Sequence, residues 1–213
     1  MGLQVIGFDV SKMRTGWARL KFHSYEEITV STDYPIICDL LEYGAIELPK
    51  DLKKCTDTDR CFAELLNYIY MEAIEKISPT DNIMVMENLN LEHRQAAKII
   101  HQCQAVIKLA GARNKLNVDM IHNLRVKSLL NVKPKVFTAD QKLYADEFKC
   151  KPVKIMMVDK INHLIRCGRI QCNNLKFKYT QQDEVDAIAL SYAYLMQKYT
   201  ISKKEMKHAR TKS

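Results

Sequence analysis

The chain has 213 residues, 47% of them hydrophobic, and a formal net charge of +8. That length and apolar content exclude a disordered tail and let one domain, or one domain with an extension, bury a core without disulfides or structural metals. The basic balance fits a polyanionic partner, of which nucleic acid is the commonest, as well as it fits a merely soluble surface.

From the N-terminus, "VIGFDVSKMRTGWARL" carries a buried strand over 3–9 that stops on a carboxylate, Asp9. A polar turn follows, then a hairpin partner over 15–22, where Trp17, Arg19 and Lys21 alternate with Ala18, Leu20 and Phe22. "YGAIEL" over 43–48 reads as a third short strand. Cys61, Leu65, Ile69, Ala73 and Ile77 recur at helical spacing, which predicts a helix over 60–77. "SPTDN" breaks the chain, and "NIMVMEN" is a short apolar strand reaching Glu87. Ala96, Ile99, Ile100, Cys103, Val106, Ile107 and Ala110 form one stripe of a helix over 92–114, and "NVDMIH" is another strand. Residues 133–150 are mixed and without clear period. Pro152 suits the first position of a helix reaching about Arg166, and "GRIQCNNLKFKYTQQ" reads as a loop. The last helix spans Asp183 to Lys198 with Val185, Ile188, Ala189, Tyr192, Leu195 and Met196 on its apolar stripe. Residues 199–213 read as a basic, aperiodic, mobile tail. Hairpin first, helices interleaved after, the order predicts an α/β fold: a mixed sheet with helices on its faces.

Three of these elements carry acids at their edges. The first strand ends on Asp9 and a later one on Glu87, while the last helix opens with Asp183 and Asp186, spaced i, i+3 on one face. If the sheet joins the two strand ends and the helix packs beside them, four carboxylates converge and raise one another's proton affinity. A hard divalent cation such as Mg2+ removes that conflict through oxygen ligands. Two such ions about 4 Å apart clamp the attacking and leaving oxygens of a phosphodiester displacement. Each acid alone has a plainer reading: Asp9 as a turn former, Glu87 as a strand-end charge, Asp183 as a helix cap, Glu184 as a charge favoured by the helix dipole. The signal lies in their combination and order.

Other patterns carry less. His163, Cys167 and Cys172 are zinc-ligand types without a fourth ligand at a typical spacing. There is no Walker-type phosphate loop, and Ser11 has no neighbouring His to activate it. Seven cysteines, an odd number and scattered, read as reduced thiols in an intracellular, reducing compartment. No apolar run approaches a membrane span, no secretory signal opens the chain, and Ile6 stands where a Met1-Gly2 myristoylation signal needs Ser or Thr.

Together, Asp9 with Thr15-Gly16-Trp17, Glu87 in "VMENLN", Asp183-x-x-Asp186 with "AIALSYAY", and the passage "IKLAGARNKLNV" resemble the RuvC-type Holliday junction resolvases of the RNase H-like superfamily. The divergence is of the kind found in phage, poxvirus or organelle members. The resemblance covers roughly 3–131 and 151–198. It implies an RNase H-like fold with a mixed five-stranded sheet, a nuclease domain over 1–198, and an insertion at 133–150. It further implies a homodimer that cuts four-way DNA junctions by paired nicks, using two Mg2+ per site, with Mn2+ able to substitute. Asp9, Glu87, Asp183 and Asp186 are then the catalytic metal ligands. Lys154 becomes a catalytic cation, and Arg125, Lys127, Lys151 and Lys154 become DNA contacts. The sequence departs from the family at Val10-Ser11, where Pro-Gly is usual, and at Asn90, where bacterial members carry an aromatic wedge. Leu89 and Leu91 are the available substitutes. Two alternatives remain at this stage: a related nuclease on RNA–DNA hybrids or flaps, and a non-catalytic nucleic-acid-binding module of the same fold. The 92–114 stripe is long enough to serve both a core and a partner, and is the expected dimer contact.

Overall fold

The structure is a computed structural model that describes residues 3–11, 14–25, 34–53, 58–75, 82–88, 95–133, 137–173 and 175–210. Met1, Gly2, Leu89, Asn90 and Leu91, and with them the substitutes for an aromatic wedge, lie outside the described residues.

Strands β1 (Gln4–Asp9), β2 (Arg14–Tyr25) and β3 (Ile36–Glu47) form an antiparallel meander. Strands β4 (Asn82–Asn88) and β5 (Asn117–His122) add in parallel on the other side of β1, and a two-residue β6 (Ile170–Gln171) pairs with β3. The sheet order is β5-β4-β1-β2-β3-β6. The expected five strands are thus present, with β6 as a sixth.

β1 is central, and its sequence explains why. Val5, Ile6 and Phe8 are all fully buried. Because side chains alternate along a strand, Ile6 and Phe8 enter one core with Trp17, Met84 and Met86, while Val5 enters the opposite core with Ala18, Leu20 and Val85. Helices α2 (Thr58–Ile69) and α3 (Gln95–Arg113) cover the first face through Cys61, Leu65, Ile69, Cys103 and Ile107. Helix α7 (Gln182–Arg210) covers the second through Val185, Ile188, Tyr192 and Leu195. Each such side chain contributes about 1.5–3 kcal/mol by leaving water. Helix α6 (Pro152–Arg166) packs beside α7 with Ile155, Val158, Ile161 and Leu164 buried.

The seat of α7 depends on two glycines. A Cβ on Gly7 would lie 2.3 Å from Ser191 Oγ and 2.4 Å from the Ala187 carbonyl oxygen. A Cβ on Gly16 would lie 2.1 Å from the Asp183 carbonyl oxygen. Gly16 is also the cross-strand partner of Asp9. The first turn of α7 therefore rests on the sheet next to Asp9 only because Gly16 has no side chain.

Several elements differ from the sequence reading. β3 begins at Ile36 rather than 43, and α2 runs into a π-helical turn over Tyr70–Ile74. Short helices α1 (Lys50–Lys53) and α4 (Asn123–Leu129) join the set. The mixed 133–150 stretch contains α5 (Ala139–Glu147), which opens on a Thr138–Gln141 capping box. The backbone of α7 continues to Arg210, so the helix does not end at Lys198.

Candidate active site

The parallel pairing of β1 with β4 runs from Gln4 opposite Asn82 to Phe8 opposite Met86. That register carries both strands out of the sheet together and puts Asp9 and Glu87 at the same carboxyl edge. In α/β sheets this edge is where ligands bind. One turn into α7, Asp186 faces the same place, and a pocket there is lined by Asp9, Glu87, Asn123, Lys127, Lys154 and Asp186.

The pocket is recessed, and its acids are electrostatically crowded. Asp9 and Asp186 are 22% and 18% exposed at the side chain. Burial pushes the Asp9 carboxyl up from 3.8 to about 8; Asp186, Asp183 and Glu87 push the same way, and Lys154 opposes them. Burial likewise raises Asp186, against the pull of Lys154. Glu87 is raised by burial, with a hydrogen bond from Asn123 acting in the other direction. The Lys154 ammonium donates to Asp186 and stands 4.0 Å from Asp9 Oδ2. Burial works against its charge, but Asp186 and Asp9 prevail and hold it above the ordinary lysine range. Lys154 is therefore a fixed cation among three carboxylates.

Asp183 is placed differently from the expectation. It is not among the pocket-lining residues; its Oδ2 accepts a 2.8 Å hydrogen bond from Arg14 Nη1. Arg14 also donates to Glu184 Oε1 at 2.6 Å and pairs with Glu47 at 3.1 Å. Glu184 is more than a helix-dipole charge: the residue is only 7% exposed, and its carboxylate closes this cluster. The charge of Asp183 still raises the proton affinity of Asp9 and Asp186. Nothing local in the sequence marks Arg14, because its partners lie 169 and 170 positions away.

The turn after Asp9 closes without Pro-Gly. Ser11 Oγ accepts from the Arg14 amide at 3.0 Å and donates to the Arg14 carbonyl at 2.8 Å. Thr15, fully buried, donates to the Ser11 carbonyl at 2.7 Å. Glu87 is anchored from the opposite face. Buried Gln104 of α3 donates through Nε2 to the Glu87 carbonyl at 2.7 Å, a link invisible in a helix read only for its apolar stripe.

Of the expected DNA contacts, Lys127 and Lys154 line the pocket, whereas Arg125 on α4 and Lys151 at the N-cap of α6 are exposed outside it. His163 on α6 and Cys167 at its C-cap are neighbours, with Cys167 Sγ 3.6 Å from His163 Nε2. Among the described residues, no group of three or more His, Cys, Asp or Glu is arranged to hold a metal, so neither zinc at 163–172 nor a closed four-carboxylate cage is present. Cys38, Cys150, Cys167 and Cys172 are free thiols, and no helix among the described residues is long and apolar enough to cross a membrane.

The donor set of the pocket nonetheless fits a hard cation. Its ligand atoms are all oxygens, its carboxylates are raised in a way a divalent ion would reverse, and buried Glu87 Oε1 has no hydrogen-bond partner among the described residues. In this arrangement Lys154 supplies the balancing positive charge.

No family model matches the sequence, and no curated protein sequence does. Solved structures do match. Thermus thermophilus RuvC in complex with a Holliday junction substrate superposes with a TM-score of 0.55 at 10% identity, over 93% of this chain and 96% of that one. A second Thermus thermophilus RuvC structure gives 0.54 at 11% identity over the same shares. A fowlpox virus Holliday junction resolvase gives 0.47 at 12% identity, over 92% of this chain and 99% of that one. The RuvC matches span nearly the whole of both chains, so this protein has the RuvC fold, an RNase H-like α/β fold with a mixed six-stranded sheet.

Proposed function

We propose that this chain is a metal-dependent, structure-selective endonuclease that resolves four-way DNA junctions by paired, symmetric nicks. The observation carrying the proposal is the convergence of Asp9, Glu87 and Asp186 with Lys154 at the carboxyl edge of a RuvC-fold sheet. Three acids from three separate elements in one recessed pocket cost stability unless they serve a ligand.

Asp9, Glu87 and Asp186 would hold Mg2+, and Asp183 would join them on leaving Arg14. The metal, two ions per site with Mn2+ as a substitute, would supply activation of water and charge neutralisation at phosphorus. The remaining chemistry belongs to the chain itself. Lys154 keeps its proton across the working pH range and offers a positive charge to the scissile phosphate. Lys127 provides a second cation at the pocket wall, and Asn123 orients Glu87 through its hydrogen bond. Gln104 fixes the Glu87 backbone from the other side of the sheet. Exposed Arg125 and Lys151 extend the basic surface toward flanking phosphates. A homodimer would present two such pockets to a two-fold symmetric junction.

The test is nick mapping on a labelled mobile four-way junction with Mg2+. Wild type is expected to cut in symmetric pairs near the branch. Asp9→Asn, Glu87→Gln, Asp183→Asn and Asp186→Asn each lower cutting by roughly a hundredfold or more while junction binding persists, since binding rests on cation–phosphate contacts. Full activity in any two of these variants, or faster cutting of RNA–DNA hybrids than of junctions, would sink the reading.

A further inference from the structure

A second site lies further along α6. A cleft of about 910 Å³ opens between α5, α6 and the segment 175–180, and its lining includes four aromatic and three basic side chains. Tyr179 stands at its centre, with Tyr144 at 5.1 Å and Phe148 at 5.6 Å between ring centroids. The Tyr179 hydroxyl donates to Asp159 Oδ1 at 2.9 Å, and Gln141 donates to Asp159 Oδ2 at 3.3 Å, so Asp159 is occupied in holding the ring. Asn162 pins the segment by both backbone groups of Phe177, at 2.8 and 3.0 Å. Phe177 is buried at 2% exposure, while Lys176 and Lys178 on either side of it are exposed, with exposed Arg166 lining the same cleft. Tyr144 presents its ring at 38% exposure.

We propose that this cleft binds unpaired nucleotides, their bases against Tyr144, Phe148 and Tyr179 and their phosphates on Arg166, Lys176 and Lys178. The inference rests on the nuclease reading above and extends it with a second contact for the substrate. Flat aromatic surface serves any base, and three exposed cations outnumber the two acids of the lining, Glu147 and Asp159, which leaves the net positive charge that tracks a phosphate backbone. Placement supports the same occupant. Lys154, in the catalytic pocket, and Asn162, in the cleft, lie eight residues apart on α6, about 12 Å along the helix. A strand leaving the pocket unpaired reaches the cleft within a few nucleotides.

The experiment measures anisotropy of labelled oligo-dT of about twelve nucleotides on the full chain, at about 50 and about 200 mM salt, beside a linear duplex of equal length. Tyr144→Ala is expected to weaken oligo-dT binding about fivefold or more and to leave duplex binding within about twofold. Lys176→Gln with Lys178→Gln is expected to lower the oligo-dT salt slope by about 1.4. Unchanged melting temperatures establish that the variants fold. Oligo-dT affinity insensitive to Tyr144→Ala, or displacement by polyglutamate as effective as by more oligo-dT, overturns the cleft assignment in favour of no site or an acidic-peptide site. If junctions are still nicked in pairs in that case, the cleft proposal alone falls. If the wild type neither binds nor cuts any nucleic acid, the nuclease reading falls with it.

Discussion

Asp9 shows how the fold spends stability on its pocket. Its carboxyl ordinarily titrates at 3.8, and in the folded chain burial and three neighbouring acids push that to about 8. The sign follows directly. Between those values the folded chain holds a proton that the unfolded chain has released, so raising the pH favours unfolding. The contribution is fully present below 3.8 and is lost as pH rises toward about 8. Asp9→Asn keeps the shape and removes the titration. In chelator, its stability advantage over wild type should therefore grow between pH 5 and pH 8, by an amount on the order of 3–4 kcal/mol. Urea denaturation at the two pH values reads this without any activity assay, and an equal or larger advantage at pH 5 would contradict it. The residue scale is also where the sequence was least complete. The four acids could be picked out because each stands at the edge of an apolar run. Their pairing could not: Arg14 draws Asp183 and Glu184 together across the whole length of the chain, and Lys154 reaches Asp186 from a different helix.

At the scale of the element, α7 is the part whose position matters most, since it carries Asp186 and is seated on Gly7 and Gly16. Gly16→Ala drives a methyl into the Asp183 carbonyl, which cannot yield without shifting the first turn of the helix. We expect a loss of about 1–3 kcal/mol and a marked fall in cutting. Gly168 is the contrast. It has φ +67° and open space around its missing Cβ, so Gly168→Ala costs only about 1–2 kcal/mol of left-handed strain and leaves cutting intact. Urea midpoints with single-turnover nicking separate the two, and equal activity in both would argue against the seat. Elements were legible where their own residues set them. β1, β4, β5, α6 and α7 have apolar content and period enough to be drawn from sequence. The first half of β3 is not legible in the sequence because register shifts against β2 at Arg19/Leu20 and Phe22/Ser24 break its alternation. β6 exists because Cys38 and Asp39 offer an edge, which nothing in "GRIQC" announces. α5 did carry a local signal, Thr138 followed three residues later by Gln141, inside a stretch without apolar period.

For the whole molecule the open question is assembly, and α3 bears on it from two sides. Its inward face, Cys103, Val106, Ile107 and Ala110, is buried on the sheet. Its outward face leaves Ile99 37% and Leu109 45% exposed, and the neighbouring π-helical turn adds Tyr70 at 42% and Met71 at 57%. Scattered apolar side chains need no explanation, but Tyr70 and Met71 line one groove with Ala110 and Arg113 of α3, so part of this surface is contiguous. We expect it to be the contact of a homodimer, the arrangement that paired nicking requires. Leu109→Lys with Met71→Lys places two like-charged, strongly hydrated groups on each partner, and should weaken association at least about tenfold. Neither residue lines the pocket of Asp9, Glu87 and Asp186, so each monomer should still nick. The nicks on opposing strands should then lose their pairing, because two independent encounters replace one. Sedimentation of wild type and double variant at micromolar concentration, with and without a four-way junction, gives the association. Nick mapping under the same conditions gives the pairing. A wild type that stays monomeric with junction present, or a monomeric variant that still nicks in synchronous pairs, would remove α3 from the mechanism and leave symmetric cutting without a structural basis.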